Sequence, residues 1–310
     1  MAPGTPASGS RIRRGGRAHD ARDGRICSAS DLSVLVKLLP AALIAAAVPV
    51  RHWDRLCHAL AGAGGGSGAD ATGDALRRRR EALVLVEQLS MLRGHWSASW
   101  AASVRLDGLQ HLEAALARGR GAILWVMPST FSSLVAKRAL SEAGVAIHHI
   151  TRVAHGFSPT WVGQRLLNPL RSRVEADYLA ERILLPLEGM PPAAMRRVVR
   201  LLNENRVVSL TLGRSAAQVV EVVRPEGTFR IATGGPNLAL RQGAALLPVW
   251  SARTGAGRFV TTIEPPLPAA AGGDARAALQ ATAQGMLDRF LAHVVRWPDQ
   301  ATPADLAAVA

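Results

Sequence analysis

Six consecutive apolar residues, Ala122–Met127 (AILWVM), most narrow what this chain can fold into. They follow a Gly119-Arg120-Gly121 turn and run into Pro128. A run this short, apolar at every position and bounded by turn residues, reads as a strand buried on both faces. Such strands belong to parallel sheets covered by helices. The neighbouring sequence agrees. Leu109–Arg118 predicts a helix, Phe131–Ala143 another that Gly144 closes, and Val145–Thr151 a second strand. Pro192–Asn205 predicts a helix and Val207–Leu212 a strand. Thr233–Gln242 reads as a helix opening on a Gly-Gly turn, Ala244–Trp250 and Phe259–Ile263 as late strands, and Ala275–Arg296 as a closing amphipathic helix. Strands alternating with helices predict an α/β fold: a mostly parallel central sheet with helices on both faces.

The 310 residues divide by composition. Residues 1–30 are Gly, Ser, Ala and Arg without periodicity, which predicts a disordered basic tail. Residues 31–60 hold the most apolar stretch, Leu32 to Val50, interrupted by Lys37, Pro40 and Pro49. Three readings fit it: an interfacial or re-entrant anchor, a true span, or a buried core helix. Residues 61–73 read as a Gly-rich linker. Residues 74–300 are the expected α/β domain, opening on a long helical pattern from Asp74 to about Ser103, and 301–310 a short tail. Within that first helix, Arg77 to Arg80 reads either as a solvated face or as a contact for anionic lipid.

Charge points to partners. There are 37 basic and 23 acidic residues, a net charge of +14, and only Lys37 and Lys137 are lysines. A strongly basic surface attracts lipid headgroups, nucleic acid or phosphorylated substrates. Nucleic acid is not expected as a partner, because one Tyr and five Phe provide few stacking platforms. Cys27 and Cys57 form neither a zinc pattern nor a disulfide framework. No phosphate-binding loop, dinucleotide fingerprint or metal-spaced cluster is present in the sequence, so no cofactor and no metal are expected.

In open α/β sheets ligands bind beyond the carboxyl ends of the strands. That picks out Pro128-Ser129-Thr130, the Arg152–Gly156 loop, and Gly213-Arg214-Ser215. His155 in the second loop is the candidate base, with Glu175, Asp177 and Glu181 downstream to orient it; a plain surface histidine is the alternative. His148 and His149 lie in a strand and alternate faces, one inward and one partly exposed. Thr233-Gly234-Gly235 either aims backbone amides at an anion or forms a tight turn.

Several blocks together resemble the bacterial lipid A lauroyl/myristoyl acyltransferase family. They are LDGLQHLEAALARGRGAILWVMPSTFSSLVAKRALSEAGVAIHHITR, TFRIATGGPNLALRQGAALLPVWSAR, VTTIEPPL and FLAHVVRWPDQ, in order across about residues 75–300. The resemblance implies a glycerolipid acyltransferase-like fold with a membrane-associating N-terminal region. It also implies transfer of an acyl chain from acyl carrier protein or acyl-CoA to a hydroxyl of a lipid or related amphiphile. The expected location is the cytosolic face of the inner membrane, against an anionic lipid surface. The family's base is a His, followed five residues later by an acid. Those positions here carry Pro128 and Ser133, and the family's Asp-Gln after the third strand is Gly213-Arg214. The departure leaves a second implied role, a catalytically inactive module that binds lipid or acyl carrier in the same groove. Arg152 matches the family's strand-terminal Arg, and Arg173 its Arg before the next strand. With Arg214, Ser129, Thr233 and Gly234 they form the implied substrate-binding set. Pro225-Glu226-Gly227-Thr228 resembles the acceptor-phosphate motif of the wider glycerolipid acyltransferases, and coincidence is the alternative.

Overall fold

The computed structural model describes residues 71–96, 102–152, 165, 168–186, 189–212, 218–225, 227–268 and 275–301. The expected basic tail, the apolar segment and most of the linker lie outside the described residues, as does the tail beyond Ala301. So do His155 and Arg214.

In chain order the elements are α1 (Ala71–Trp96), β1 (Ser103–Asp107), α2 (Leu109–Leu116), β2 (Ala122–Val126), α3 (Val135–Glu142), β3 (Ile147–Arg152), α4 (Asn168–Ala176), β4 (Glu181–Leu185), α5 (Pro192–Asn203), β5 (Val207–Thr211), β6 (Val219–Arg224), β7 (Gly227–Ala232), α6 (Gly234–Gln242), β8 (Ala245–Gly255), β9 (Arg258–Ile263) and α7 (Ala275–Arg296). The first helix ends at Trp96 rather than near Ser103, which instead opens β1. Seven strands form one sheet in the order β1-β9-β8-β2-β5-β3-β4, with β6 and β7 a separate hairpin. The five strands from β8 to β4 are parallel. β9 runs antiparallel to β8, and β1 pairs parallel to β9. The sheet is therefore mixed and mostly parallel.

β2 lies at the centre with every residue buried. Its side chains alternate between two cores, as a period of two requires. Ala122, Leu124 and Val126 pack with α2 and α3. Ile123, Trp125 and Met127 pack with α5, α6, α7 and the β6–β7 hairpin. A third cluster docks α1 through Leu83, Val86 and Leu89 onto Phe131, Val174 and Phe259. Two basic residues of α1 hold the C-terminal turn: Arg79 pairs with Asp299 at 2.6 Å, and Arg80 Nε donates to the Pro298 carbonyl at 2.8 Å.

This topology defines a crevice. The chain leaves β2 through α3 on one face, and leaves β5 through the hairpin and α6 on the other. Neighbouring strands whose exits part to opposite faces open a gap at their carboxyl ends. Of residues 225–228, singled out for a phosphate motif, Pro225 follows β6 and Gly227 and Thr228 open β7, where Arg224 pairs with Gly227.

The opposite end of the sheet depends on tight backbone packing. Gly108 precedes α2 at φ +81°, and a Cβ there would lie 2.0 Å from the Ile263 carbonyl oxygen. The left-handed backbone costs a non-glycine residue about 1–2 kcal/mol before any clash. Gly108→Ala is therefore expected to lower stability by more than about 2 kcal/mol in urea unfolding. An unchanged midpoint would show that the α2–β9 junction has slack.

Candidate functional site

The carboxyl end of β2 is anchored on both sides. Met127 N donates to Val249 O at 2.7 Å, and Leu212 N donates to Val126 O at 2.8 Å. Pro128 follows, buried and unable to exchange a proton. Beyond it the loop is tied internally. Ser129 Oγ donates to Ser251 O at 3.2 Å, and Ser132 Oγ donates to Ser129 O at 3.0 Å. Thr130 donates from both its N and its Oγ1 to Gln300 O at 2.9 Å. The Gln300 side chain in turn clamps β8, accepting from Arg253 N at 2.7 Å and donating to Arg253 O at 2.8 Å. The Ser129 hydroxyl thus has a protein partner already.

Ser133, which the resemblance aligns with an acid, lies at the edge of a buried charge cluster. Its hydroxyl accepts from Arg171 and lies 3.5 Å from Glu87 Oε1. Glu175 is the hub, with Lys137 Nζ at 2.6 Å, Arg171 Nε at 3.0 Å and Arg182 Nη2 at 3.0 Å. Arg171 reaches Glu87 on α1 at 3.2 Å. Burial pushes the Glu87 carboxyl up despite Arg171. Burial also pulls the Lys137 ammonium down, only partly offset by Glu175. For Arg171 burial works against the charge, but Glu87 and Glu175 outweigh it and the guanidinium is raised.

Beside the cluster is a cavity of about 20 Å³ lined by Val126, Ser132, Ser133, Lys137, His149 and Ser209 among others. That is room for about one water. His149 Nδ1 and Ser209 Oγ are 2.8 Å apart there, with the donor set by the tautomer. His148, on the other face, pairs with Glu181 at 3.0 Å.

The structure brings some sequence-predicted residues together and separates others. Ser129 and Ser133 lie on the β2 side of the crevice. Thr233 and Gly234 open α6 on the β5 side, where a Cβ on Gly235 would come within 3.2 Å of the Leu210 side chain. Thr233 is buried and donates from N and Oγ1 to Gln218 O at 3.1 and 3.2 Å. Glu175 belongs to the charge cluster, whereas Asp177 is exposed on the turn after α4. Arg173 is exposed near the end of α4. Arg152, half-buried at the end of β3, donates from Nη1 to Pro186 O at 3.0 Å.

Sequence reasoning passed over His293. It is 5% exposed and ends the buried stripe of α7 that runs through Ala278, Thr282, Met286 and Phe290. Its ring packs on Trp250 with centroids 4.8 Å apart. Neither ring nitrogen has a hydrogen-bond partner among the described residues, and neither has the buried Nε1 of Trp297. An unsatisfied buried polar group costs about 1–3 kcal/mol. Burial, and secondarily Arg296, pulls the imidazole from 6.5 down to about 4, so it is neutral at pH 7. The signal in the sequence was a histidine at an apolar helix position, in HVVRW.

The chain is similar to curated acyltransferases. It is 31% identical over 193 residues to phosphatidylinositol mannoside acyltransferase of Mycobacterium tuberculosis, in strains CDC 1551 and H37Rv alike. The match covers 62% of this chain and 57% of those relatives, so the chain spans a little over half their length. No family model matches. Among solved structures, the 1-acyl-sn-glycerophosphate acyltransferase of Thermotoga maritima has a TM-score of 0.39 at 12% identity, covering 85% of this chain and 97% of that one. The mycobacterial similarity supports an acyltransferase family and does not single out the lipid A lauroyl/myristoyl branch.

Two outcomes follow from the charges. Glu175→Gln leaves Lys137, Arg171 and Arg182 with Glu87 as the remaining carboxylate, and unpaired buried charge costs about 3–5 kcal/mol. Urea unfolding should show a loss of that order; a loss under about 1 kcal/mol would mean water already reaches the cluster. The folded-state pKa of His293 lies below its ordinary value, so its contribution is present above pH 6.5 and lost as pH falls toward about 4. His293→Phe should therefore gain stability relative to the parent protein on acidification across that window. A constant difference between the two would contradict the assignment.

Proposed function

We propose that this protein is a membrane-associated acyltransferase of lipid metabolism, which passes an acyl chain from acyl carrier protein or acyl-CoA to a hydroxyl of a lipid or related amphiphile. The observation that carries the reading is the 193-residue match to curated acyltransferases. The reaction is proposed to take place in the crevice at the ends of β2 and β5. The proposed setting is the cytosolic face of the inner membrane. Its support is a net charge of +14 and exposed side chains on the edge strand and α5: Leu184 (56%), Met195 (39%), Arg196 and Arg200. Such mixed basic and apolar surface suits anionic headgroups. No helix of the described residues is long and apolar enough to cross a membrane.

The second reading, an inactive module that binds lipid or acyl carrier, is favoured by a specific observation. Pro128 and Ser133 stand where a base and acid would act, and Ser133 is engaged by Arg171 and Glu87. Acyl transfer needs a group to take the acceptor's proton. In this proposal His155 takes it, and Arg152, Arg173 and Arg214 hold donor or acceptor phosphate.

Full-length protein incubated with dodecanoyl-CoA or dodecanoyl-acyl carrier protein and lysophospholipid vesicles is expected to yield diacylated product by mass spectrometry. His155→Ala should reduce the rate at least about 100-fold, the usual scale of general-base catalysis. Full product formation by His155→Ala would remove that residue from the mechanism. Lipid binding without product from the unaltered protein would select the inactive module.

A further inference from the structure

A larger cavity opens at the amino end of the sheet, away from the crevice. It holds about 360 Å³ and lies between α6, α7 and the first residues of β8. Pockets for small molecules run from about 300 to 1,000 Å³. Its place follows from the strand register. Ala245 opens β8 opposite Ala122 at the start of β2, so the cavity and the crevice lie at opposite ends of the parallel strands. Ala239 and Leu240 on α6 line it, together with Pro266, Leu267 and Pro268 after β9.

Most polar groups of this lining are already spent. Pro266 and Pro268 have no N–H to offer, and Leu267 N donates to Leu246 O at 2.8 Å. Two carbonyls at the end of α6 are taken: Ala239 O accepts from Ala244 N at 3.0 Å, and Leu240 O from Gly243 N at 3.4 Å. The Thr282 hydroxyl donates to Ala278 O at 2.9 Å. Arg118 is the one charged residue of the lining among the described residues. It is exposed, and no ion pair or hydrogen bond joins its guanidinium to another described residue. Its backbone is held in place. Arg118 N donates to Ala115 O at 3.2 Å, and Asn205 clasps the same turn, donating to Leu116 O at 3.0 Å and accepting from Gly121 N at 2.9 Å. Gly243 also borders the cavity, and a Cβ there would meet nothing within 4 Å, so that side is open.

We propose that this cavity binds a single-chain amphiphile with an anionic head, its chain against α6 and the proline segment and its head on Arg118. A carboxylate or phosphate accepts two parallel N–H bonds from one guanidinium. A cationic head is repelled there, and a neutral alcohol forgoes the charge-assisted bond. A water or a small inorganic anion leaves the apolar lining uncovered, so head and chain together match the cavity. Carboxylate and phosphate heads share this chemistry, and the test separates them. The site goes beyond acyl transfer in the crevice and does not depend on it.

The full chain is titrated by calorimetry with decanoate, decyl phosphate, decanol and decyltrimethylammonium, each below its micellar concentration. At least one of the two anions should bind about tenfold or more tightly than decanol, the scale of a hydrogen bond to a charged group, and the cation should not bind. Tighter decanoate identifies a fatty acid as the ligand class, tighter decyl phosphate a phosphate-bearing lipid, and equal affinities a site that reads charge alone. Arg118→Gln should weaken the anions about tenfold and leave decanol unchanged, with part of the loss recovered in Arg118→Lys. Leu240→Glu sets a negative charge against the bound anion and should weaken it as much. Leu240→Ala replaces that variant if the glutamate prevents folding, and should weaken decanol too. Arg78→Gln removes the same charge from α1 and should change nothing, which separates the cavity from the net charge of +14. Anion affinity unchanged at either Arg118 or Leu240, decanol equal to the anions, or an equal loss in Arg78→Gln overturns the site. Acyl transfer is assayed on the same proteins. Arg118-dependent binding without turnover sinks the acyl-transfer reading and keeps the site; turnover without Arg118-dependent binding sinks the site and keeps the reading.

Discussion

Three cations and two carboxylates lie out of water between α1, α3, α4 and β4, and the layout around the crevice depends on how they meet. Glu175 alone receives Lys137, Arg171 and Arg182, each from a different direction. Apolar packing tolerates sliding, but the hydrogen bonds within a buried ion pair hold only at short distance and near-linear angles. An apolar replacement of the same volume would often be as stable. What the ions add here is register. Arg171 links Glu87 on α1 to Glu175 on α4 and also grips Ser133 at the start of the α3 segment. Helix α1, the loop after β2 and α4 are therefore fixed relative to one another by one guanidinium.

Much of the sheet was legible in the sequence because both faces of its central strands are buried. Ala122–Val126 and Val207–Thr211 stand out as apolar runs with turn residues before them. Strand β4 did not stand out. Its sequence, ERILL, begins with two charges that are used: Glu181 accepts from His148 and Arg197, which holds its carboxyl below the usual range, and Arg182 joins the cluster. An edge strand covers less core and carries less hydrophobic signal. The β6–β7 hairpin was missed for a different reason. Pro225 and Gly227 read as loop residues, and of the alternating residues on either side only Val222, Phe229 and Ile231 enter the core.

The candidate site was less legible, because its interactions are non-local. The members of the charge cluster are spread from Glu87 to Arg182, and local spacing pairs only Arg171 with Glu175, four residues apart on α4. One compositional hint existed. In a chain that otherwise uses arginine, a lysine stands in the apolar context of α3, and it is the buried one. His149 and His293 share that character, a polar residue on a face whose neighbours are apolar. Periodicity marks such a residue as buried, but it does not say whether a partner waits for it. That distinction needs coordinates, and it separates the two histidines: Ser209 answers His149, and no described residue answers His293.

Pro128 and Ser133, at the positions that the resemblance aligns with a base and an acid, sit in a loop whose polar groups are already engaged. A histidine at position 128 would stand where strand pairing ends, with the following loop free to receive a substrate. Here the loop's donors are consumed: Ser129 by Ser251, Thr130 by Gln300, Ser132 by Ser129, and Ser133 by Arg171 and Glu87. These bonds close the loop onto β8, the C-terminal turn and the charge cluster. Restoring histidine alone would place it among satisfied neighbours with no carboxylate oriented toward it, since Glu87 is committed to Arg171. Acid–base chemistry at this edge must then draw on groups outside that loop. The buried nitrogens of His293 and Trp297 lie across the sheet, around the end of α7.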